Sequence, residues 1–349
     1  MVDYYYRNDY AGSEETDLTI TADNIAENAY ANNTELKTVT VTSSVKAIGD
    51  GAFSGCDNLE YLDLSEADVP GLTIGALAGL NENTVVVLPT AMPTASAQAL
   101  SAAATNIVYK EGSDYKSENV KLTDGEALNA PSSVSTITAR AVTYDRLFGE
   151  SSQGRLRAGE RGPEMGNAVY TICLPYNQTI PEGMKAYTLK EFNGEGALVF
   201  EEVLTMEALT PYLLTATVPV SNMTAENVIV RIHDEGGSIE TSDYILYGTL
   251  KPIPDTGASA GGYLTLQNNQ QWLAAGSEGI LAFHAYLKPR TSDARTISNT
   301  IFINHEDVNS IKTIGRDGTE NYYDLQGHRI TKPSKAGIYL KDGKKVIIK

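Results

Sequence analysis

Apolar and polar positions fall into two regimes along this chain. In the first, "NIAENAYANNTELKTVTV", Asn24 to Val41, lies over "AIGDGAFSGCDNLEYLDL", Ala47 to Leu64, at an offset of 23 residues. Ile25, Ala29, Tyr30, Leu36, Val39 and Val41 then meet Ile48, Ala52, Phe53, Leu59, Leu62 and Leu64. A third copy follows, with Ala76, Leu77, Val86 and Leu88 in the matching places and Asn83 where a leucine is due. Each copy ends in alternating apolar residues, the pattern of a short strand with one buried face. One such unit cannot cover its own apolar side, so the copies are expected to stack as a short solenoid, each shielding the next. The Ala-rich stretch Pro93 to Asn106 predicts a helix that closes the stack, with Thr94 as its N-cap.

In the second regime, from about Asn119 to Leu287, short runs rich in Val, Ile, Tyr and Thr are separated by turn residues. They are "STITARAVTY", "AVYTICLPY", "MKAYTLKEF", "ALVFEEV", "PYLLTATV", "NVIVRI", "YILYGTL", "GYLTLQ" and "ILAFHAYL". Pro181-Glu182-Gly183, Asn193-Gly194, Gly236-Gly237 and Asn268-Asn269 supply turn signals, and the set predicts a sandwich or a pair of packed sheets. Residues 149 to 166 carry Arg155, Arg157 and Arg161 among glycines with no apolar period, and read as a surface loop. Lys288 to Asn299 reads as a linker. The last segment, Tyr322 to Lys349, reads as two hairpins turning at Gln326-Gly327 and Asp342-Gly343. The expected fold class is thus mainly β: a leucine-rich-repeat solenoid over 1–110 with its capping helix, a sandwich-like body over 111–290, and a small β domain over 300–349.

The repeat units resemble the leucine-rich repeats of the BspA type, over about residues 18 to 90. That resemblance implies a bacterial surface protein that attaches to host proteins or other cells. The order "YTICLPY", "IPEGMKAYTL", "LTPYLL", "YGTL", "AFHAYL" resembles a β-rich module that follows leucine-rich repeats in large secreted proteins of Bacteroidales. Gly337, Ile338, Tyr339, Gly343, Lys344 and Val346 resemble the C-terminal sorting domains of the Bacteroidetes type IX secretion system. Together these imply an extracellular or outer-membrane-surface address. The first residues, "MVDYYYRNDYAGSEETD", show no basic stretch followed by an apolar one; the expectation is a leader ahead of Val2 in the exported protein.

Charge narrows the partners. The formal net charge is −17, and binding to phosphate backbones draws on Lys and Arg replacing condensed counterions, so nucleic acid is not expected. The imbalance is uneven: residues 1–100 hold 15 acidic and 3 basic side chains, whereas residues 329–349 hold 7 basic and 1 acidic. No apolar run is long enough to span a bilayer as a helix. Cys56 and Cys173 sit far apart in apolar surroundings and read as free buried thiols, because buried cysteine commonly serves as a small packing residue.

Candidate chemistry is sparse. "PDTGAS" carries Asp255 in a D-T-G, the motif in which paired carboxylates share a proton. Only one copy is present, and Pro252 and Pro254 stand where an apolar strand should deliver the acid, so a Pro-rich loop is expected. Ser43 and Lys46 form an S-x-x-K without its companion motifs. His233, His284, His305 and His328 are scattered singly, with no metal-ligand spacing, and His284 reads as a hydrogen-bonded strand histidine. Asp317, Glu320 and Asp324 lack the alternation that wraps calcium.

No catalytic, metal or cofactor site is therefore expected, and the chain reads as a binding protein. The outward, non-leucine positions of the repeat strands are where recognition is expected: Glu60, Tyr61 and Asp63, with Lys37, Thr38 and Thr40 one copy earlier. A protein or glycan at a cell surface is the expected partner. The alternative readings are a carbohydrate-binding accessory protein, which calls for exposed aromatics along a groove of the β body, and a hydrolase built on Asp255.

Overall fold

A computed structural model describes residues 16–149, 169–193, 196–267, 271–291 and 297, together with the backbone of strands Ile301–Asn304, Tyr322–Tyr323, Arg329–Ile330, Gly337–Lys341 and Lys344–Ile348. The chain divides into two compact units, Met1–Ile303 and Asn304–Lys349.

The first unit is built on one long sheet. Its first five strands, Asp17–Ile20, Thr38–Val41, Tyr61–Asp63, Val85–Val87 and Ile107–Glu111, run parallel and in register. Leu18, Val39, Leu62 and Val86 form one row across them. This row points under the coils, where Val39 and Leu62 are fully buried with Leu36, Leu59, Val41, Leu64 and Phe53. Burying each such side chain contributes about 1.5–3 kcal/mol, which is why the spacing recurs.

The turns of the coils stack as closely as the strands. Tyr30 N–H donates to the Ala52 carbonyl at 2.8 Å, Asn32 N–H to Ser54 at 2.7 Å, and Gly55 N–H to Gly79 at 2.8 Å. The Tyr30 and Phe53 rings lie 5.3 Å apart and nearly parallel. Asparagine amides tie one copy to the one before it: Asn58 to the Thr34 carbonyl at 2.6 Å and Asn81 to the Asp57 carbonyl at 2.8 Å. A matched turn position is left-handed in all three copies, at Asn32, Gly55 and Gly79. Asparagine and glycine tolerate that conformation, so a shared backbone shape is preserved under different side chains.

Helix Thr94–Ala103 begins one residue earlier than its sequence signals suggest: Pro93 is the N-cap, and no side chain caps the first turn. Thr94 instead takes the first helical position, because the Pro93 carbonyl already accepts the N–H groups of Ser96 and Ala97. The sheet does not stop at this helix. Strand Ile107–Glu111 pairs parallel with Val85–Val87 on one side and antiparallel with Asp114–Thr123 on the other. Thr136–Phe148 and Val220–Arg231 then complete an eight-stranded order.

Each of the nine apolar runs read from the sequence contains a strand. The expected pair of sheets becomes three layers. A second sheet, ordered Val169–Ile172, Tyr212–Ala216, Met184–Phe192, Leu198–Val203, Ile301–Asn304, packs against the long sheet through Ile172, Met184, Ala186 and Leu214. Its opposite face, with Tyr187, Leu189, Phe200 and Leu213, packs on Leu246, Trp272, Ala285 and Leu287 of a third sheet. That third sheet is ordered Ser238–Glu240, Tyr244–Gly248, Ala285–Pro289, Leu264–Gln267, Gln271–Ala274. Covering on both faces explains the unbroken apolar run "YLL" at Tyr212–Leu214.

Lys288 and Pro289, expected in a linker, belong to a strand instead. The loop expected over 149–166 lies outside the described residues apart from Gly149, as do Gly194, Asn268, Asn269 and the turns at 326–327 and 342–343. In the second unit the two expected hairpins share one sheet, ordered Arg329–Ile330, Tyr322–Tyr323, Gly337–Lys341, Lys344–Ile348.

Candidate functional site: the open face of the repeat sheet

Alternation puts every second side chain of the repeat strands on the face away from the coils. Two rows result. Asp17, Thr38, Tyr61 and Val85 are aligned in one; Thr19, Thr40, Asp63 and Val87 are aligned in the other. The structure thus brings together four of the sequence-predicted residues, Thr38, Thr40, Tyr61 and Asp63, as neighbours on adjacent strands. Glu60 and Lys37 fall outside the rows, at the turn before each strand, where Glu60 N–H donates to the Lys37 carbonyl at 2.7 Å.

The two rows change character along the sheet. Asp17 and Thr19 are exposed, Thr38, Thr40, Tyr61 and Asp63 are half-buried, and Val85 and Val87 are fully buried beneath the second sheet and its connections. Tyr61 sits at the boundary, its ring packed against the edge of that core. The open face is therefore three described strands wide, or about 10 Å between its outer strands at about 4.8 Å per step.

Its polar groups are held locally. The Thr38 hydroxyl donates to Asp17 Oδ1 at 2.6 Å, and Asp63 Oδ1 accepts the Ser65 N–H at 2.9 Å. Among the described residues no cation pairs with Asp17, Glu60 or Asp63; the nearby ion pairs are Lys46 with Asp68 and Lys121 with Glu82. The face presents hydroxyls, one aromatic ring and uncompensated carboxylates, a set suited to hydrogen bonding and to cationic groups. Asp17 and Thr19 were missed in the sequence reading, although "DLTI" alternates as "TVTV" does one copy later. The apolar pair Val85 and Val87 in "VVVL" signalled, equally plainly, that the face closes there.

The other candidate chemistry is dispersed. Asp255 opens a six-residue helix rather than a Pro-rich loop, is exposed, and accepts the Thr256 N–H at 2.7 Å. Pro254 supplies the extended residue before that helix, and the turn is completed by the Ala258 N–H bonding to the Pro254 carbonyl. Lys46 Nζ donates to the Ser43 carbonyl at 2.9 Å and pairs with Asp68. Cys56 and Cys173 are free and buried. His305, His328, Asp317, Glu320 and Asp324 have no described side chains. Among the described residues no group of three or more His, Cys, Asp or Glu is placed to hold a metal ion, and no helix is long and apolar enough to cross a membrane.

One polar cluster is more organised. The Tyr144 hydroxyl donates to Asp124 Oδ1, His284 Nε2 lies 3.0 Å from the same oxygen, and Arg146 Nε lies 3.4 Å from Asp124 Oδ2. Arg146 also donates to the Thr171 carbonyl at 2.9 Å. Burial, then the charge of Arg146, hold His284 below its ordinary pKa, against the opposing pull of Asp124. Asp124 itself lies below the usual carboxylate range: its His284 and Tyr144 hydrogen bonds and the Arg146 and His284 charges outweigh its burial. Tyr144, fully buried, is pushed upward by desolvation. The result is a satisfied network tying the long sheet, through Asp124, Tyr144 and Arg146, to the segment entering the third sheet at His284.

Compared with known proteins, residues 3–114 match the family model described as BspA type Leucine rich repeat region, in 6 copies. Curated proteins yield no match, and neither do solved structures.

Proposed function

We infer that the protein acts by binding rather than catalysis, as a secreted or surface-attached bacterial protein whose repeat face recognises another protein. The observation that carries this reading is the pair of polar rows through Asp17, Thr38, Tyr61 and Thr19, Thr40, Asp63, aligned by strand register on a face left open by the coils. It is supported by the match of this region to repeats of the BspA type, which occur typically in surface or secreted proteins and commonly mediate binding. The Tyr61 ring at the boundary with the body would act as an anchor, since aromatic side chains give large contact area at small entropic cost. Glu60, at the rim, would tune charge. The basic tail, with its Gly337–Lys341 and Lys344–Ile348 pair, fits the role of a sorting signal of the Bacteroidetes type, and export would place the chain on the outer surface.

A panel of purified extracellular and cell-surface proteins, probed with the intact chain, tests this. At least one is expected to bind, with affinity lost at least tenfold in the variant Thr40→Arg, Asp63→Lys, which stays folded with the small drop in melting temperature that loss of the Asp63–Ser65 hydrogen bond brings. Binding indifferent to that variant, or no binding across the panel, would sink the reading. Protease shaving of intact cells checks the address: a surface protein is cleaved without lysis.

A further inference from the structure

Regular strands send successive side chains to opposite faces, and three neighbouring strands of the long sheet break this rule at one level. In Thr136–Phe148 the core-facing residues are Ile137 and Ala139, then Val142 and Tyr144. In Val220–Arg231 they are Met223 and Ala225, then Val228 and Val230. In Asp114–Thr123, Tyr115 packs on the same core as Val120 and Leu122. The alternation slips at 118–119, 140–141 and 226–227. These positions are in register: Asn119 pairs with Ala141, and Ala141 with Glu226. Because every strand slips together, the register is the same on either side, the ladders skip only Glu118, Arg140 and Asn227, and a crease crosses the sheet. Within it, both residues of each pair face away from the core.

The crease is a depression of about 440 Å³, lined by Glu118, Asn119, Arg140, Ala141, Glu226 and Asn227 and walled by Ala102 near the end of the helix. Asn227 sits mid-strand with φ +53°, a conformation that costs energy unless the surroundings require it. Its floor is prearranged. Glu118 is buried and fully partnered, accepting from Gln98 at 2.9 Å, Tyr109 at 3.2 Å and Arg140 at 3.0 Å. Asn119 reaches the Ala102 carbonyl at 3.5 Å. Glu226 and Asn227 are exposed and have no side-chain hydrogen bond or ion pair among the described residues.

We propose that this crease is a saccharide-binding site, separate from the repeat face and built on hydrogen-bonding groups alone, with none of the exposed aromatics expected of a carbohydrate-binding accessory module among its lining residues. The charges argue against two ligand classes: the guanidinium is already matched by Glu118, leaving no surplus for an anion, and the described residues are not arranged to hold a metal ion. What remains is a set of planar amide, carboxylate and guanidinium groups, offering donors and acceptors side by side. Vicinal hydroxyls, each donor and acceptor at once, match such groups in pairs. The small side chains Ala102 and Ala141 leave room for a sugar ring.

The test uses the intact chain in saturation-transfer NMR and calorimetry. The probes are glucose, galactose, mannose, N-acetylglucosamine, cellobiose and lactose, with glycine, glutamate and inorganic phosphate as comparators. Asn227→Gly removes the amide while keeping a residue at ease at positive φ, and Glu226→Ala removes the free carboxylate; neither is expected to change the melting temperature. At least one saccharide should bind, at least tenfold more weakly in each variant. Binding of no saccharide, binding unchanged in the double variant, or preference for an amino acid or phosphate over every saccharide would each overturn the proposal.

Discussion

The two halves of the long sheet solve the same problem in opposite ways. In the repeat half, Val39, Leu62 and Val86 bury one face under the coils and leave Thr38, Thr40, Tyr61 and Asp63 on the other. In the body half, Val120, Leu122, Val142 and Tyr144 bury that other face under the second sheet. The changeover occurs at Val85–Val87 and at residues 107–109 of the next strand, Ile107, Val108 and Tyr109, which are buried on both sides. A face stays open only where no later segment returns to cover it, and that decides where a partner can reach the repeats.

The sharpest way to break this comparison is to move one residue along a row. Asp63 and Val87 occupy equivalent places on adjacent strands, one half-buried and the other 1% exposed. Val87→Asp is expected to cost about 3–5 kcal/mol or more, because a buried carboxylate without a partner is strongly unfavourable; urea unfolding measures it, and a loss under about 1 kcal/mol would mean the face is open there too. Leu62→Ala, on the covered side of the repeat half, is expected to cost about 2–5 kcal/mol through lost burial and the cavity left behind, read from the same unfolding curves.

A smaller effect sharpens the picture of the body half. His284 is held below its ordinary value of 6.5, so the unfolded chain binds a proton here more readily than the native one. Stability from this site is complete above about pH 6.5 and declines as the pH falls below it. Asp124, itself depressed, still contributes through that window, and Tyr144, pushed upward by burial, does not titrate in it. His284→Gln should flatten the loss of stability between pH 7 and 5, measured by denaturant midpoints; an unaltered slope would assign the acid sensitivity elsewhere. Least of all, Thr38→Ala removes an exposed hydroxyl-to-Asp17 bond and should shift stability by about 0.5 kcal/mol or less, visible only as a small change in melting temperature.

Local signals made much of this legible. The repeat register, the inward set from Leu36 to Leu64 and all nine strand-bearing runs of the body follow from spacing and side-chain type. The polar rows were half legible: "TVTV" and "YLDL" announced Thr38, Thr40, Tyr61 and Asp63, whereas Asp17 and Thr19 alternate as clearly in "DLTI" but lie off the 23-residue offset, 21 residues before their partners. The crease was written as a skipped beat in "ITARAVTY" and in "MTAENVIV", yet a single skip in one strand looks like noise until its neighbours are known.

What the sequence determined by itself is the set of elements and, within each, which side chains want to be dry, because periodicity and turn chemistry act over a few residues. Only the tertiary structure decided that the sheet runs on past the helix, that the second sheet is covered on both faces, and that three skipped beats line up as one depression. Those facts depend on which strands become neighbours, and pairing joins residues such as Thr136 and Arg231, whose adjacency no local pattern encodes.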